Sequence, residues 1–203
     1  SVSDNLLDKV TNNTQLEELS IDVSLAHEIN MESLANMSAL SKLNLYGDGN
    51  VGDFAGIEKL TNLKSVKMQI GAYSDISPLL NLPSLDSIDI DTENAVYISP
   101  ENIVDNPHLK ELNIYEIKYM YKDSLDDRRE IKIGDIAEIL NKFTALERLT
   151  IRTQGILDLS FVQYMPDLGY IDISDNYIQD ISPLVDLTNL KVVVCPKNRI
   201  ANV

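Results

Sequence analysis

The side chains that most often carry catalysis are few in this sequence and stand far apart. The chain has two histidines, His27 and His108, and a single cysteine, Cys195. Nucleophilic catalysis needs a nucleophile within hydrogen-bond reach of a base, and these positions offer no such pair. The Ser-Asp-Asn triplet at 174–176 looks like a serine-hydrolase motif, but the sequence lacks the Ser-x-x-Lys and Lys-Thr-Gly motifs that accompany it. The sequence therefore predicts that the chain is not an enzyme.

Two aspartates, Asp89 and Asp91, are separated by one residue and could offer oxygen ligands to a cation. Calcium takes six to eight oxygen ligands in proteins. The matching positions of the neighbouring repeats hold Lys67, Gln69 and Asn113, so further carboxylates are lacking. We therefore interpret the pair as a charged surface patch, and the sequence predicts neither a bound metal ion nor a cofactor.

The net charge limits the classes of partner. Lysine and arginine total 17 against 32 aspartates and glutamates, which gives a formal charge of −15. Such a chain is repelled by nucleic acid and by anionic membranes, although an acidic surface also simply keeps a protein soluble. No apolar stretch approaches the roughly 18 residues of a membrane span. We therefore expect another protein as partner, including one with a basic surface, and neither nucleic acid binding nor membrane insertion.

The candidate binding residues belong to a repeat that runs through nearly the whole chain. A leucine begins each unit, apolar residues follow at positions 4 and 6, and units restart after 22 to 24 residues, with one unit of 37 residues. The units begin at Leu16, Leu40, Leu63, Leu85, Leu109, Leu146, Leu168 and Leu190. All sixteen residues at positions 4 and 6 are apolar, which is the pattern of a leucine-rich repeat.

Alternating apolar and polar residues at positions 3 to 7 indicate one short strand in each unit. The sequence predicts an α/β leucine-rich-repeat solenoid, a right-handed coil with a parallel concave β-sheet of about eight strands and short 3₁₀ or α turns on the convex side. Pro78, Pro100 and Pro183 each follow a serine, as at the start of a helical turn. Cys195 takes an inward position 6, so we expect a buried thiol that packs like a small apolar residue.

The two ends and the fifth unit depart from the regular pattern. Residues 1–15 include Leu6, Leu7 and Val10 on one helical face, which predicts a helical cap on a repeat domain that spans 16–203. The fifth unit carries a long insertion near 118–131, and solenoids expel insertions as loops that extend the binding surface or have no function. The eighth unit is truncated at Val203, so we expect either further chain or an oligomer to cover that end.

Two segments resemble the 22-residue units of bacterial internalins. They are Asp-Ile-Ser-Pro-Leu-Val-Asp-Leu-Thr-Asn-Leu at 180–190 and Asp-Ile-Ser-Pro-Leu-Leu-Asn-Leu at 75–82. The resemblance implies a secreted or cell-surface bacterial protein whose concave sheet grips another protein. A similar repeat occurs in an intracellular eukaryotic family of phosphatase-regulating proteins, so a cytoplasmic regulatory scaffold is the alternative.

Positions 3, 5 and 7 of each unit set the solvent-facing side of the predicted sheet. Tyrosine and arginine offer large contact areas and are common interface anchors, while aspartates set charge preference. The predicted partner-binding residues of the sheet and the fifth-unit loop are Tyr46, Gln69, Asp89, Asp91, Asn113, Tyr115, Tyr119, Tyr121, Arg148, Arg152, Tyr170 and Asp172. A protein ligand is favoured over a glycan. The alternative is a solvated face with ion pairs such as Glu111 to Arg148.

The last predicted strand is apolar on its solvent-facing side, where Val192, Val194 and Pro196 take positions 3, 5 and 7. Exposed apolar patches mark contacts with other chains or domains. Self-association through this C-terminal edge, or a role as a structural spacer in a larger surface protein, is therefore an alternative function. Ordinary variation at the edge of a sheet explains the valines equally well.

Overall fold

The computed structural model describes residues 10, 12–24, 29–47, 51–70, 74–92, 96–98, 100–115, 139–152 and 155–201. The strands are β1 (Glu18–Asp22), β2 (Ile29–Asn30), β3 (Lys42–Tyr46), β4 (Val51–Asp53), β5 (Ser65–Ile70), β6 (Ser74–Asp75), β7 (Ser87–Thr92), β8 (Val96–Tyr97), β9 (Glu111–Ile114), β10 (Arg148–Ile151), β11 (Tyr170–Asp172) and β12 (Val192–Val194). Short 3₁₀ helices lie at Met31–Leu34, Ile57–Lys59, Pro100–Asn102, Ser160–Tyr164 and Ser182–Asp186, and an α-helical turn lies at Ser77–Leu80.

Eight strands form one parallel sheet in the order β1-β3-β5-β7-β9-β10-β11-β12. Each unit keeps the same register with the next, so that Leu43 at position 4 pairs with Leu19 on one side and Val66 on the other. The long fifth unit returns to this register, because Leu149 on β10 pairs with Leu112 on β9. The predicted sheet of eight parallel strands is confirmed.

Inward residues at positions 4 and 6 form the core. Leu43, Val66 and Ile88 are fully buried, and burial of such a side chain contributes about 1.5–3 kcal/mol to stability. The last strand differs, because Val193 is 41% exposed and Cys195 is only half-buried. The prediction of a buried Cys195 is therefore wrong, since β12 is paired on one side and has no further coil packed on it among the described residues.

The Asp-Ile-Ser-Pro segments begin helical turns, as their prolines predict. Asp180 and Asp75 each accept a hydrogen bond from the backbone N–H of the serine two residues later, at 2.8 and 2.9 Å. Pro78 and Pro183 lie within the first two residues of their turns, where no N–H is required. Each motif thus caps a turn that carries buried leucines into the core.

An asparagine at position 9 joins successive coils in the last two units. Asn176 is buried and donates to the carbonyl oxygens of Ile151 at 3.0 Å and Ile173 at 2.9 Å, and it accepts from the N–H of Ile156 at 3.1 Å. Asn198 repeats this pattern one unit later. The position 9 residues Asp48, Gly71, Glu93 and Gln154 lie outside the described residues.

The residue at position 8, one to three residues after the end of the strand, takes a left-handed backbone conformation in three units, a feature that the sequence did not predict. Gly47, Asp175 and Lys197 all stand at position 8 and have φ values of 91°, 58° and 56°. Glycine adopts this conformation without strain, whereas a side chain makes it costly. The chain therefore turns sharply out of these strands at the same point of each unit.

Two small parallel sheets accompany the main one in the first four units. They pair β2 with β4 and β6 with β8, at positions 12 to 15 of the repeat. The repeat pattern of the sequence does not predict these strands. They are only two or three residues long, so a local period of two residues has no room to show in the sequence.

The predicted cap and the insertion fall mostly outside the described residues. Val10 is helical and packs against the core, but residues 1–9 are outside, and so are the insertion near 118–131 and Ile136. Beyond the insertion, Ile139, Leu140 and Phe143 return to the core as fully buried residues. Within the described ranges no helix is long and apolar enough to cross a membrane.

Candidate functional site

The site is the open face of the main sheet, defined as the residues at positions 3, 5 and 7 of the eight units. Parallel sheets usually have both faces covered by other elements. Here the inward face packs on the core, while Tyr46, Gln69, Asp91 and Arg148 on the other face are exposed. These exposed side chains of the open face are therefore available for contact.

The structure brings ten of the twelve predicted residues onto this face in parallel rows. Tyr46, Gln69, Asp91 and Arg148 are exposed; Asp89, Tyr115, Arg152 and Tyr170 are half-buried; Asn113 and Asp172 are buried. Tyr119 and Tyr121 lie outside the described residues. Rows arise because parallel strands in constant register place the same repeat position side by side about 4.8 Å apart.

Two arginines and two tyrosines form a stacked cluster across β9, β10 and β11. The guanidinium of Arg148 lies 4.1 Å from the ring centre of Tyr170, and that of Arg152 lies 5.2 Å from the ring centre of Tyr115. Such cation–π contacts contribute about 0.5–1 kcal/mol at exposed sites. Since stacking fixes these side chains before any partner arrives, little further ordering is needed on binding.

The same arginines are also held by carboxylates. Arg148 Nε lies 3.3 Å from Glu111 Oε1, which is the ion pair that the solvated-face alternative predicts. Arg152 donates from Nε and Nη2 to one carboxylate oxygen of Asp172. Hydrogen bonding to Asp172 raises the pKa of Arg152 further above its usual range. Both cations are therefore largely compensated within the sheet.

The repeat pattern predicts that Asp172 faces a partner and sets its charge preference, but the side chain of Asp172 is not accessible to a partner. Its side chain is 0% exposed, because Arg152 covers it and Ser174 hydrogen-bonds to it from the backbone N–H and the hydroxyl. Burial raises the pKa of Asp172, but the hydrogen bonds from Arg152 and Ser174 outweigh it and hold the pKa below its usual value. Asp172 is thus a positioning residue for Arg152.

The middle row of the open face is also internally bonded. Lys67 Nζ lies 2.9 Å from Asp89 Oδ2, and this hydrogen bond raises the pKa of Lys67. Asn113 donates to Glu111 Oε1 at 2.8 Å and is largely covered by its neighbours. The Oδ2 atom of Asp89 and the amide N–H of Asn113 are therefore engaged within the sheet, although Asp89 keeps some exposed surface.

Lys67 is a residue of this face that the prediction missed. It lies on β5, between β3, which carries Tyr46, and β9, which Tyr115 follows. Burial raises the pKa of Tyr115, and the carboxylates of Asp89 and Asp91 raise it further. These groups are therefore close neighbours. The sequence could have indicated Lys67, because repeat position 5 places its long side chain in the middle row of the open face.

Residues elsewhere offer weaker candidates. His27 lies outside the described residues, and His108 is exposed on the turn before β9. Among the described residues no group of three or more histidine, cysteine, aspartate or glutamate side chains could hold a metal ion. A cleft of about 320 Å³ lies among the helical turns, lined by Glu58, Asp75, Ser77, Pro78, Asn81, Leu82, Pro83 and Asn102. The Asn81 side-chain amide in this cleft donates to the Asn102 carbonyl and accepts from the Val104 N–H.

Coils that add one parallel strand each, apolar positions in constant phase and an open sheet face define a leucine-rich-repeat protein. Solved structures with this fold include two internalins from Listeria monocytogenes. One, inlF, is 18% identical over 97% of this chain and 64% of its own, with a TM-score of 0.59. The other, internalin C2, is 20% identical over 88% of this chain and 80% of its own, with a TM-score of 0.64. The resemblance to internalins is confirmed at the level of the fold.

A plant protein has the same fold. The ectodomain of the receptor kinase GASSHO1/SCHENGEN3 from Arabidopsis thaliana, in complex with CASPARIAN STRIP INTEGRITY FACTOR 2, is 15% identical with a TM-score of 0.64. This chain aligns over 94% of its own length but spans only 23% of that ectodomain. No family model and no curated protein matches the sequence.

Proposed function

We propose that this chain is a non-enzymatic recognition module that binds another protein through the open face of its sheet. The observation that carries the proposal is one face of an eight-stranded parallel sheet, which carries exposed and half-buried tyrosines in the described part of the chain. Tyrosine binds with large contact area and few rotatable bonds, which suits an interface anchor.

The rigidity of the open face supports this function. Its side chains stand on strands in constant register and are fixed by ion pairs and ring stacking with the neighbouring units. Binding by a surface that is already ordered incurs little loss of side-chain entropy. The side chains of the open face are therefore already in place before a partner binds.

The comparisons support the class of partner and the compartment that we propose. One similar structure is an ectodomain in complex with a protein factor, and others are internalins. We accordingly place the chain in a secreted or cell-surface bacterial protein, with a cytoplasmic regulatory scaffold as the alternative. Detection of the native protein on intact cells by an antibody, before and after surface proteolysis, distinguishes these compartments.

Loss of two tyrosines from the open face tests the proposal. A partner is first selected by the wild-type chain from an array of extracellular protein domains. We expect the double variant Tyr46→Ala, Tyr115→Ala to bind it about tenfold more weakly or worse in a calorimetric titration, because each anchor contributes roughly 1 kcal/mol or more. Circular dichroism checks that the variant is folded.

The matched control is Tyr164→Ala, Tyr177→Ala. Tyr164 and Tyr177 are 46% and 47% exposed, close to the 45% of Tyr46, but they lie off the open face. This variant should keep the affinity of the wild type. Equal affinity of all three proteins, or an equal loss in the control, contradicts binding through the open face.

A second candidate function is assembly through the eighth unit. Val192 on the open face is 44% exposed and its neighbour Val193 is 41% exposed, and β12 has an unpaired edge among the described residues. An exposed apolar strand edge is a template for pairing with another chain. In this function the repeats serve as a spacer or assembly segment of a larger surface protein.

A further inference from the structure

The four cations of the open face are all paired with carboxylates of neighbouring strands. Lys42 lies 3.1 Å from Glu18, Lys67 lies 2.9 Å from Asp89, Arg148 lies 3.3 Å from Glu111, and Arg152 is bonded to Asp172. Each pair is internal to the sheet. The charges that remain for a partner are therefore those of the carboxylates outside these four pairs.

Two open-face carboxylates remain, Asp22 and Asp91, and they differ in their hydrogen bonding. Asp22 accepts hydrogen bonds from the N–H of Ser24 at 2.9 Å and from its hydroxyl at 2.7 Å. Asp91 is exposed, and within the described part of the chain its carboxylate forms no hydrogen bond or ion pair. Asp91 is thus the open-face carboxylate that has neither a cation nor a hydrogen-bond donor as partner among the described residues.

Asp91 lies in a row between two tyrosines. It pairs in register with Gln69 of β5, and the adjoining residue on the other side is Tyr115, which follows β9. Tyr46 stands beyond Gln69, so the two tyrosines are three strand spacings apart, about 14 Å. Gln69 is held by the N–H of Gly47 at 3.2 Å, and Arg152 lies over the Tyr115 ring.

We infer that Asp91 receives one cationic side chain, an arginine or a lysine, of the protein partner, while Tyr46 and Tyr115 contact the flanking surface. An exposed carboxylate accepts charge-assisted hydrogen bonds, and tyrosine ring faces attract cations. A single cation is the matching charge at this point, because the carboxylates nearest to Asp91 along the sheet, Asp89 and Glu111, are paired with cations, whereas Asp22 lies on the first strand. This inference rests on the proposed function and adds the chemical group of the partner that contacts Asp91.

Short linear peptides, selected from a displayed library by the wild-type chain, test the inference. The selected peptides should share a basic residue, and the affinity of the best one is measured by fluorescence anisotropy. Asp91→Asn removes the charge and keeps the shape, so we expect binding about threefold to tenfold weaker at low salt, with a smaller difference at high salt. The control Asp186→Asn removes an exposed carboxylate from a helical turn off the open face and should bind as the wild type does.

The same peptides separate failure of the inference from failure of the proposed function. Peptides that lose binding on Tyr46→Ala, Tyr115→Ala but bind Asp91→Asn and wild type equally would overturn the cation site and leave the open face as the binding surface. Selected peptides without a shared basic residue would overturn it as well. A library that yields no binder sensitive to the tyrosine double variant counts against both proposals.

Discussion

Asn176 shows how one buried polar side chain ties two coils together. Its amide donates to three backbone carbonyls, of Ile151, Ile173 and Ser174, and accepts from the N–H of Ile156. Backbone groups in a loop have no partners in a helix or sheet and need such a side chain when they are buried. One residue therefore satisfies the loop that follows two successive strands.

Asn176→Ala should destabilise the chain by about 3 kcal/mol, because several buried backbone groups lose their partner and each unsatisfied group costs about 1–3 kcal/mol. The control Asn189→Ala removes an exposed asparagine that makes one bond, to the carbonyl of Pro166 at 3.1 Å. It should cost less than about 1 kcal/mol. Urea denaturation measures both, and equal losses would show that the amide of Asn176 has no special role.

For single residues, the sequence predicted the face of the sheet on which a side chain lies, but it did not predict which neighbours cover that side chain. Repeat phase placed Asp91 and Asp172 on the same face, and both are there, yet Asp91 is exposed and Asp172 is fully covered. The difference comes from Arg152, which reaches Asp172 from the neighbouring strand. Such a contact depends on which side chain the next coil supplies and in which rotamer, and the pattern within one unit does not contain that information.

Among the elements, the turn after the strand is the most demanding in backbone conformation. Gly47 has a φ of 91°, and a Cβ added there would lie 2.0 Å from Ser24 Oγ and 2.9 Å from Ser24 N. The side chain of Ser24 and its backbone are both engaged with Asp22. The turn of the second unit thus packs directly on the turn of the first.

Gly47→Ala should therefore lower the free energy of unfolding by about 2 kcal/mol or more, from the left-handed penalty and from the clash. Gly169→Ala is the matched control, since its φ is not positive and the nearest atoms to an added Cβ are 3.6 and 3.7 Å away. Thermal denaturation should show little change for the control. A Gly47→Ala protein as stable as the Gly169→Ala protein would contradict the turn's role.

The sequence predicted the main elements and missed the minor ones for a physical reason. Strands such as β3 and β7 follow from the alternation of apolar residues over five or six positions. Strands β2, β4, β6 and β8 are two or three residues long and exist by pairing with the adjacent coil. The left-handed turn at Asp175 and Lys197 was missed because neither residue is a glycine.

For the whole molecule, the exposed eighth unit bears on the state of assembly. If its valines pair with a second chain, the double variant Val192→Lys, Val194→Lys should be monomeric where the wild type self-associates, because charge on an edge strand opposes pairing. Light scattering over a range of concentrations measures the difference. A matched control is Val104→Lys, Val185→Lys, which alters two valines that are 58% and 80% exposed elsewhere. A wild-type chain that stays monomeric at high concentration rules out this assembly.

The ion pairs of the described residues match each repeat unit to the unit next to it. In the described residues every ion pair joins two successive units, from Lys42 with Glu18 in the first two to Lys197 with Asp175 in the last two.

Removal of the seventh unit, residues 168–189, would bring β12 against β10. Arg152 would then lose Asp172 and lie beside apolar Val194, while Arg148 would lose the ring of Tyr170.

In this chain the leucines of one unit could replace those of another, but the open-face charges could not. A shortened array would keep its core and carry mismatched charges at the junction. Loss of one unit would therefore show itself in unpaired charges on the open face and not in the apolar packing of the core.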